Sequence, residues 1–158
     1  MLRPLSRLLA VCALSLISAC GGDTGVTNDV ERIVSTTSFG MCVGYCRTSL
    51  EITPGEAVLT REPGGRGAPT LQPQHLTVTL TNAEWKQLAT LAASTTFEGL
   101  PETIGCPDCA DGGAESLAVS RGGKERKVTF DHGADIKQLQ PLLDRVRELR
   151  TRLVPKDQ

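Results

Sequence analysis

The fold is decided by residues 76–93, which read LTVTLTNAEWKQLATLAA. In the first five residues Leu and Val alternate with Thr, which is the pattern of a strand with one apolar face. Thr81 and Glu84 then stand three residues apart, the spacing of an N-terminal capping box. After the box, apolar residues recur at helical spacing: Trp85, Leu88, Ala89 and Ala92. The stretch therefore predicts a strand that leads directly into an amphipathic helix over residues 82–93.

Further strands are predicted on both sides of this stretch. β-Branched or alternating apolar residues mark three segments before it and two after it: 33–39, 49–53, 57–61, 117–119 and 128–130. Pro54-Gly55 predicts a turn between the second and third segments, because Pro presets φ and Gly accepts a positive φ. Gly122-Gly123 separates the last two segments, which predicts a β-hairpin.

The chain after this hairpin predicts a second helix. Apolar residues recur there at three- and four-residue steps: Leu139, Leu142, Val146, Leu149 and Leu153. Pro141 lacks an amide N–H and suits a first turn, so the helix is expected to start near Gln140. Four arginines occupy its second half and are expected to face solvent: Arg145, Arg147, Arg150 and Arg152. The order of elements predicts an α+β fold, an antiparallel sheet of about five to six strands with two helices packed on one face.

The N-terminal segment has the pattern of a secretory signal peptide, with Arg3 and Arg7 before a short apolar stretch. It ends in Leu16-Ile17-Ser18-Ala19-Cys20-Gly21, which resembles the lipobox of bacterial lipoproteins. The resemblance implies a signal peptide over residues 1–19, cleavage before Cys20 and attachment of acyl groups such as palmitate to that residue. Gly21, in place of an Asp that retains lipoproteins in the inner membrane, implies the outer membrane, with the domain facing the periplasm.

The chain after the signal peptide is expected to have three parts. Residues 20–30 are expected to form the lipidated N-terminus and a flexible tether, residues 31–153 a single α+β domain, and residues 154–158 a short tail. Of the 17 basic residues, two lie in the signal peptide, which leaves 15 against 18 acidic ones and a net charge of −3. This balance argues against a nucleic-acid partner, and anionic lipid surfaces are not expected to attract the protein as a whole.

Four cysteines remain after the signal peptide and Cys20: Cys42, Cys46, Cys106 and Cys109. They lie in two predicted loops. An exported domain with an even number of cysteines predicts two disulfides. Bridges between the two loops are expected, because a bridge from Cys106 to Cys109 closes a very small ring. Two alternatives use the same residues: a structural zinc held by four thiolates, and thiol–disulfide exchange at Cys106-Pro107-Asp108-Cys109.

Other candidates for chemistry are few. His75 and His132 are the two histidines, and His132 is expected to be a turn residue. An acidic loop is expected to be solvated: Glu102, Asp108, Asp111 and Glu115. The sequence lacks the nucleophile elbow and the zinc-protease and Ser-x-x-Lys motifs. It therefore predicts a non-enzymatic accessory or binding module that uses no cofactor, with a protein or small-molecule partner still to be identified.

The segment Phe39-Gly40-Met41-Cys42-Val43-Gly44-Tyr45 also resembles part of an uncharacterised bacterial lipoprotein domain. In that family a first strand ends in Phe-Gly-x-Cys-Pro-x-Tyr and is followed by the same order of hairpin, helix, hairpin and helix. The resemblance covers residues 31–153 and departs at Val43, where the family has Pro, and in the additional cysteines. It implies the fold and carries no biochemical function.

Overall fold

The computed structural model describes residues 29–65 and 71–155, which form seven strands, two α-helices and one short 3₁₀ turn. In chain order the elements are β1 (Val30–Ser38), β2 (Gly44–Thr53), β3 (Glu56–Gly64), β4 (Gln74–Thr79), α1 (Asn82–Ser94), β5 (Thr103–Ile104), the turn Cys109–Asp111, β6 (Ala114–Arg121), β7 (Lys124–Asp131) and α2 (Gln140–Leu153). The predicted signal peptide, Cys20 and the tether up to residue 28 lie outside the described residues. Among the described residues, no helix has both the length and the apolar character needed to cross a bilayer.

All seven strands belong to one sheet, in the order β4-β3-β2-β1-β6-β7-β5. Neighbouring strands are antiparallel, except that β5 runs parallel to β7. The predicted α+β class is confirmed. The sheet has one strand more than the upper end of the prediction, because Thr103 and Ile104 pair with the edge of β7. A two-residue strand is too short to leave a periodic signal in the sequence.

Both helices begin where the sequence predicts. At α1, the Thr81 side chain accepts a hydrogen bond from the Glu84 N–H at 3.2 Å, and the Glu84 carboxylate accepts one from the Thr81 N–H at 2.9 Å. This reciprocal capping box gives partners to two amides at the start of the helix. Helix α2 begins at Gln140, with Pro141 in its first turn.

One hydrophobic core lies between the helices and one face of the sheet. The sheet contributes alternate residues of its strands: Ile33, Leu50, Ile52, Leu59, Leu117, Val119, Val128 and Phe130. The helices contribute one stripe each: Leu88, Ala89 and Ala92 from α1, and Leu142, Leu143, Val146 and Leu149 from α2. Because successive strand residues point to opposite faces, both helices cover the same face of the sheet, as predicted.

The chain enters the sheet beside the turn between β6 and β7. Val30 at the start of β1 pairs with Arg121, and the Gly122 N–H donates to the Asp29 carbonyl at 3.1 Å. We call this region, residues 29–30 with residues 121–124, the hairpin end of the sheet.

The other end carries the cysteines. Ser38 at the end of β1 pairs with Ala114, and Ala114 pairs with Asp131. The loops 39–43 and 105–113 therefore lie side by side at what we call the disulfide end. The nine residues of β1 separate the two ends, a distance of about 30 Å at 3.3 Å per residue.

Candidate functional site

The four cysteines form two local disulfides. Cys42 is bonded to Cys46 and Cys106 to Cys109, with Cα–Cα distances of 5.6 Å and 5.4 Å. Both distances lie in the usual range for a disulfide. The prediction of two disulfides is confirmed, but the expectation that the bridges join the two loops is wrong.

Backbone conformation explains how the small ring from Cys106 to Cys109 closes. The Cys109 N–H donates to the Cys106 carbonyl at 2.9 Å, which folds the four residues into a turn. Asp108 adopts a left-handed conformation with φ of 62°, and two further non-glycine residues, Ala110 and Asp111, follow it with φ of 52° and 62°. These conformations are uncommon for residues with a side chain, so the sequence did not predict them.

The disulfide pairing affects both alternatives for the cysteines, the zinc site and thiol–disulfide exchange. A sulfur in a disulfide has no thiolate with which to bind zinc, so the arrangement does not fit a four-thiolate centre. Within residues 29–65 and 71–155, no group of three or more His, Cys, Asp or Glu is placed to hold a metal ion. Cys106 and Cys109 are both exposed to solvent, so their disulfide is open to attack by an external thiol.

The two disulfide loops are joined to each other by Asp108. Its carboxylate accepts a hydrogen bond from the Gly40 N–H at 3.1 Å, and a Cβ at Gly40 would lie only 2.8 Å from the same carboxylate. On the other side, the Asp131 carboxylate accepts a hydrogen bond from the Cys106 N–H at 3.2 Å. Both loops are thus held by side chains as well as by their own disulfides.

Phe39, the first residue of the loop 39–43, packs against His132 and Gly113. Its ring meets the ring of His132 edge to face, with centroids 4.8 Å apart. Gly113 lies against the same ring with φ of +82°, and a Cβ at that position would come within 2.4 Å of Phe39. Gly113 therefore serves both the backbone turn and the close approach of the aromatic ring. His132 lies in the turn after β7, as predicted.

Large apolar side chains are exposed at the disulfide end. Met41 and Val43 are each 78% exposed, and Leu71 is 42% exposed. They are all of the large apolar side chains that are exposed in the part of the chain that the structure describes. Leu71 lies at this end because the next residue, Gln72, accepts a hydrogen bond from the Tyr45 hydroxyl at 3.0 Å. We call Met41, Val43 and Leu71 the apolar tip.

A second polar region lies inside the molecule. Glu115 on β6 is only 1% exposed and contacts two arginines of α2. Arg147 Nη2 is 2.8 Å from Glu115 Oε2, and both terminal nitrogens of Arg150 are 3.2 Å from Oε1. We call these three residues the buried charge cluster.

The buried charge cluster also contacts the backbone and β1. The Gly133 N–H donates to Glu115 at 3.4 Å, Arg147 donates to the Ala134 carbonyl at 2.9 Å, and Arg150 donates to the Ser35 hydroxyl. The cluster thus ties α2 to β1, β6 and the turn after β7. All of these partners belong to the fold itself, so the arrangement is structural.

The charges in the cluster shift each other's proton affinity. Burial raises the pKa of Glu115, but the hydrogen bond from Arg147 and the charges of both arginines outweigh it, so its pKa lies below the ordinary value. The hydrogen bond with Glu115 raises the pKa of Arg147, whereas burial lowers the pKa of Arg150 against the opposing effect of Glu115. Arginine stays protonated in proteins, so one carboxylate faces two guanidinium groups.

The predicted positions of these three residues are wrong. Glu115 was expected in a solvated acidic loop, and Arg147 and Arg150 were expected to face solvent. Two signals in the sequence point to their burial. Glu115 stands two residues before Leu117 and so shares its face of the strand, while Arg147 and Arg150 each stand four residues after an apolar residue of the α2 stripe.

Comparison with known proteins adds no relative. No known protein family matches the chain, and no curated protein matches it. The resemblance of residues 31–153 to an uncharacterised lipoprotein domain, and that of residues 16–21 to a lipobox, therefore stay predictions.

Proposed function

We propose that this protein is a lipid-anchored component of a bacterial cell envelope, a non-enzymatic binding module in the periplasm held on the outer membrane by acyl groups on Cys20. The observation that carries the proposal is the position of the apolar tip, at the end of the sheet opposite the point where the chain enters. A protein anchored through its N-terminus would present this end to partners away from the bilayer.

The length of the chain supports this orientation. Asp29 lies nine positions after Cys20, a stretch that spans at most about 30 Å when fully extended. The hairpin end is therefore held close to the membrane. The length of β1 then places the disulfide end about 30 Å farther along the sheet. Multiple acyl chains anchor a protein stably, without a membrane-spanning helix.

The structure around the apolar tip supports a binding role. Met41 and Val43 lie within or beside the ring closed by Cys42 and Cys46, and the Gly40 N–H is bonded to Asp108. A loop restrained in this way loses little conformational entropy when a partner binds. Exposed Met and Val then provide apolar surface to bury, so the partner is expected to be a protein with a complementary apolar pocket.

The anchor is tested by Cys20→Ala. We expect this variant to move from the membrane to the soluble fraction when membranes are washed with high salt, which releases proteins held by charge alone, and to lose incorporation of labelled palmitate. The matched control is Cys12→Ala, which removes a thiol from the predicted signal peptide and should leave both properties unchanged. If Cys20→Ala still fractionates with membranes and takes up label, the anchor is elsewhere.

The binding role is tested by placing a photo-crosslinking residue at position 43 of the anchored protein. We expect one discrete cross-linked product in cells, reduced when Met41→Ser is added. The same crosslinker at Thr77, an exposed residue of the edge strand β4, is the control and should not give that product. Equal products from both positions would contradict a specific role for the tip.

The exposure of Cys106 and Cys109 favours thiol exchange as a second candidate function. In that reaction the reduced pair transfers two electrons to a substrate disulfide and is itself oxidised. Asp108 and Asp111 disfavour the reactive thiolate through like-charge repulsion. We therefore expect the reduced protein to convert a model disulfide peptide no faster than Cys106→Ser/Cys109→Ser. A faster rate for the wild type would favour this alternative.

A further inference from the structure

A groove of about 520 Å³ lies at the hairpin end, on the helix face of the sheet. Residues 93–98, at and after the C-terminal end of α1, line one side of the groove, and the β6–β7 hairpin lines the other. Val119 and Phe97 supply apolar lining, and both are buried. Three basic side chains complete the lining on the strand side: Arg121, Lys124 and Arg126.

Strand register brings these three cations together. Arg121 is paired with Lys124 across the hairpin, and Arg126 is paired with Val119. Residues 124 and 126 share a strand face with Val128, whose side chain enters the core, so they lie on the side covered by the helices. The groove is therefore basic because of the pairing of the strands, and it does not depend on a flexible loop.

The cations differ in how they are held. Arg121 donates to the carbonyl oxygens of Ala93 at 3.1 Å and Thr95 at 2.7 Å, and also to that of Ala92, where α1 ends. Arg121 is thus fixed in place by the helix. Lys124 and Arg126 are exposed and form no side-chain hydrogen bond or ion pair with any residue in 29–65 or 71–155. Their charges remain available to a ligand.

The neighbouring carboxylates leave this positive charge largely unbalanced. Glu98 is the one carboxylate among the residues that line the groove. Glu125 has its side chain on the opposite face of β7, where it pairs with Arg32 at 2.8 Å. Glu31 accepts a hydrogen bond from the Gly123 N–H at 2.9 Å.

We propose that this groove binds the anionic phosphate headgroups of the membrane on which the protein is anchored. The inference rests on the lipid anchor of the proposed function. It is supported by position, because the Gly122 N–H donates to the Asp29 carbonyl and only eight residues separate Asp29 from Cys20. It is supported by charge, because the groove is cationic in a mature chain whose net charge is negative. The headgroup contact holds the hairpin end on the bilayer and directs the apolar tip away from it.

The test uses residues 20–158 with Cys20→Ala, which retains every described element and carries no acyl chain. Binding to vesicles is measured by sedimentation, with phosphatidylcholine alone and with one third phosphatidylglycerol. We expect binding only to the anionic vesicles, and a decrease on adding salt. Lys124→Gln/Arg126→Gln should weaken this binding roughly 20- to 30-fold, about fivefold for each cation near an anionic surface.

The matched control is Arg47→Gln/Lys137→Gln, which removes the same charge from exposed residues near the disulfide end. It should bind anionic vesicles as the parent does. The proposal would be overturned if both double variants weakened vesicle binding equally, or if the parent bound neutral and anionic vesicles equally. It would also be overturned if the parent bound inorganic phosphate and did not bind vesicles. Because the acyl chain is absent, the result is independent of the Cys20→Ala fractionation that tests the anchor.

Discussion

The buried charge cluster and the apolar tip both reverse the usual distribution of side chains. In the first, Glu115 is 1% exposed, although carboxylates normally lie at the surface. In the second, Met41 and Val43 are 78% exposed, although such side chains normally lie in the core.

The difference between the two regions lies in their partners. Glu115, Arg147 and Arg150 form hydrogen bonds that join α2 to β1, β6 and the turn after β7. These bonds therefore stabilise the fold. In the apolar tip, the backbone around Met41 and Val43 is restrained by the Cys42–Cys46 disulfide and by the hydrogen bond from Gly40 to Asp108, while the side chains face solvent. We therefore expect changes in the cluster to affect stability and changes in the tip to affect binding.

The largest effect is expected from Arg150→Ala. This change leaves Glu115 buried with one arginine and leaves the Ser35 hydroxyl without its donor. We expect a loss of roughly 3–5 kcal/mol in the free energy of unfolding, measured by urea denaturation. The matched control is Arg145→Ala on the same helix, whose partner Glu148 is mostly exposed; it should cost less than about 1 kcal/mol. Similar losses from both changes would mean that burial of the charges is not the cause.

Removal of either disulfide should have a smaller effect. Cys42→Ser/Cys46→Ser and Cys106→Ser/Cys109→Ser each open a short ring, for which the entropy model predicts a loss of about 2 kcal/mol. Urea denaturation of the variants, beside wild type under a reductant, measures this. The reductant should bring the wild type close to the variant that lacks both disulfides. A wild type unaffected by full reduction would contradict a stabilising role for the disulfides.

Titration of Glu115 should make part of the stability depend on pH. Its folded pKa lies below the ordinary value of 4.5, so its contribution is present above about pH 4.5 and is lost as the pH falls through the folded pKa. We expect the difference in unfolding free energy between wild type and Glu115→Gln to be constant near neutral pH and to shrink in acid. Urea denaturation from pH 7 to pH 3 measures it. A difference that grows in acid has the wrong sign for this mechanism.

The smallest effect on stability is expected at the apolar tip. Met41→Ser/Val43→Ser should change the free energy of unfolding by less than about 0.5 kcal/mol, because both side chains already face water. Because this variant changes position 43, the crosslinker is placed at position 71 instead. The cross-linked product that the unchanged tip forms with its partner should then be absent. Leu50→Ala is the contrasting core variant and should cost roughly 2–5 kcal/mol. A tip variant that is as unstable as the core variant would contradict an exposed role.

Local patterns predicted most of the fold. The capping box at Thr81 and Glu84, the Gly122-Gly123 turn and the start of α2 near Gln140 are each specified by residues a few positions apart, and all are confirmed. The cysteine pairing was predicted wrongly. The ring from Cys106 to Cys109 contains a left-handed residue, Asp108, a conformation that residue type alone disfavours. The partners of Glu115 were not predicted, because they lie 32 and 35 residues away along the chain.

Local patterns predict the α+β class and the order of the helices and of every strand except β5, because hydrophobic period, capping and turn chemistry act over a few residues. The even number of cysteines in an exported domain predicts two disulfides. Which residues these elements bring together depends on how the strands pair and the helices pack. The pairing of β1 with β6 sets the two disulfide loops side by side and places the basic hairpin next to the point where the chain enters. The packing of α2 places two arginines on Glu115. Such contacts join residues that are distant in the chain. They form, and stabilise the protein, only after the sheet and the helices have packed together.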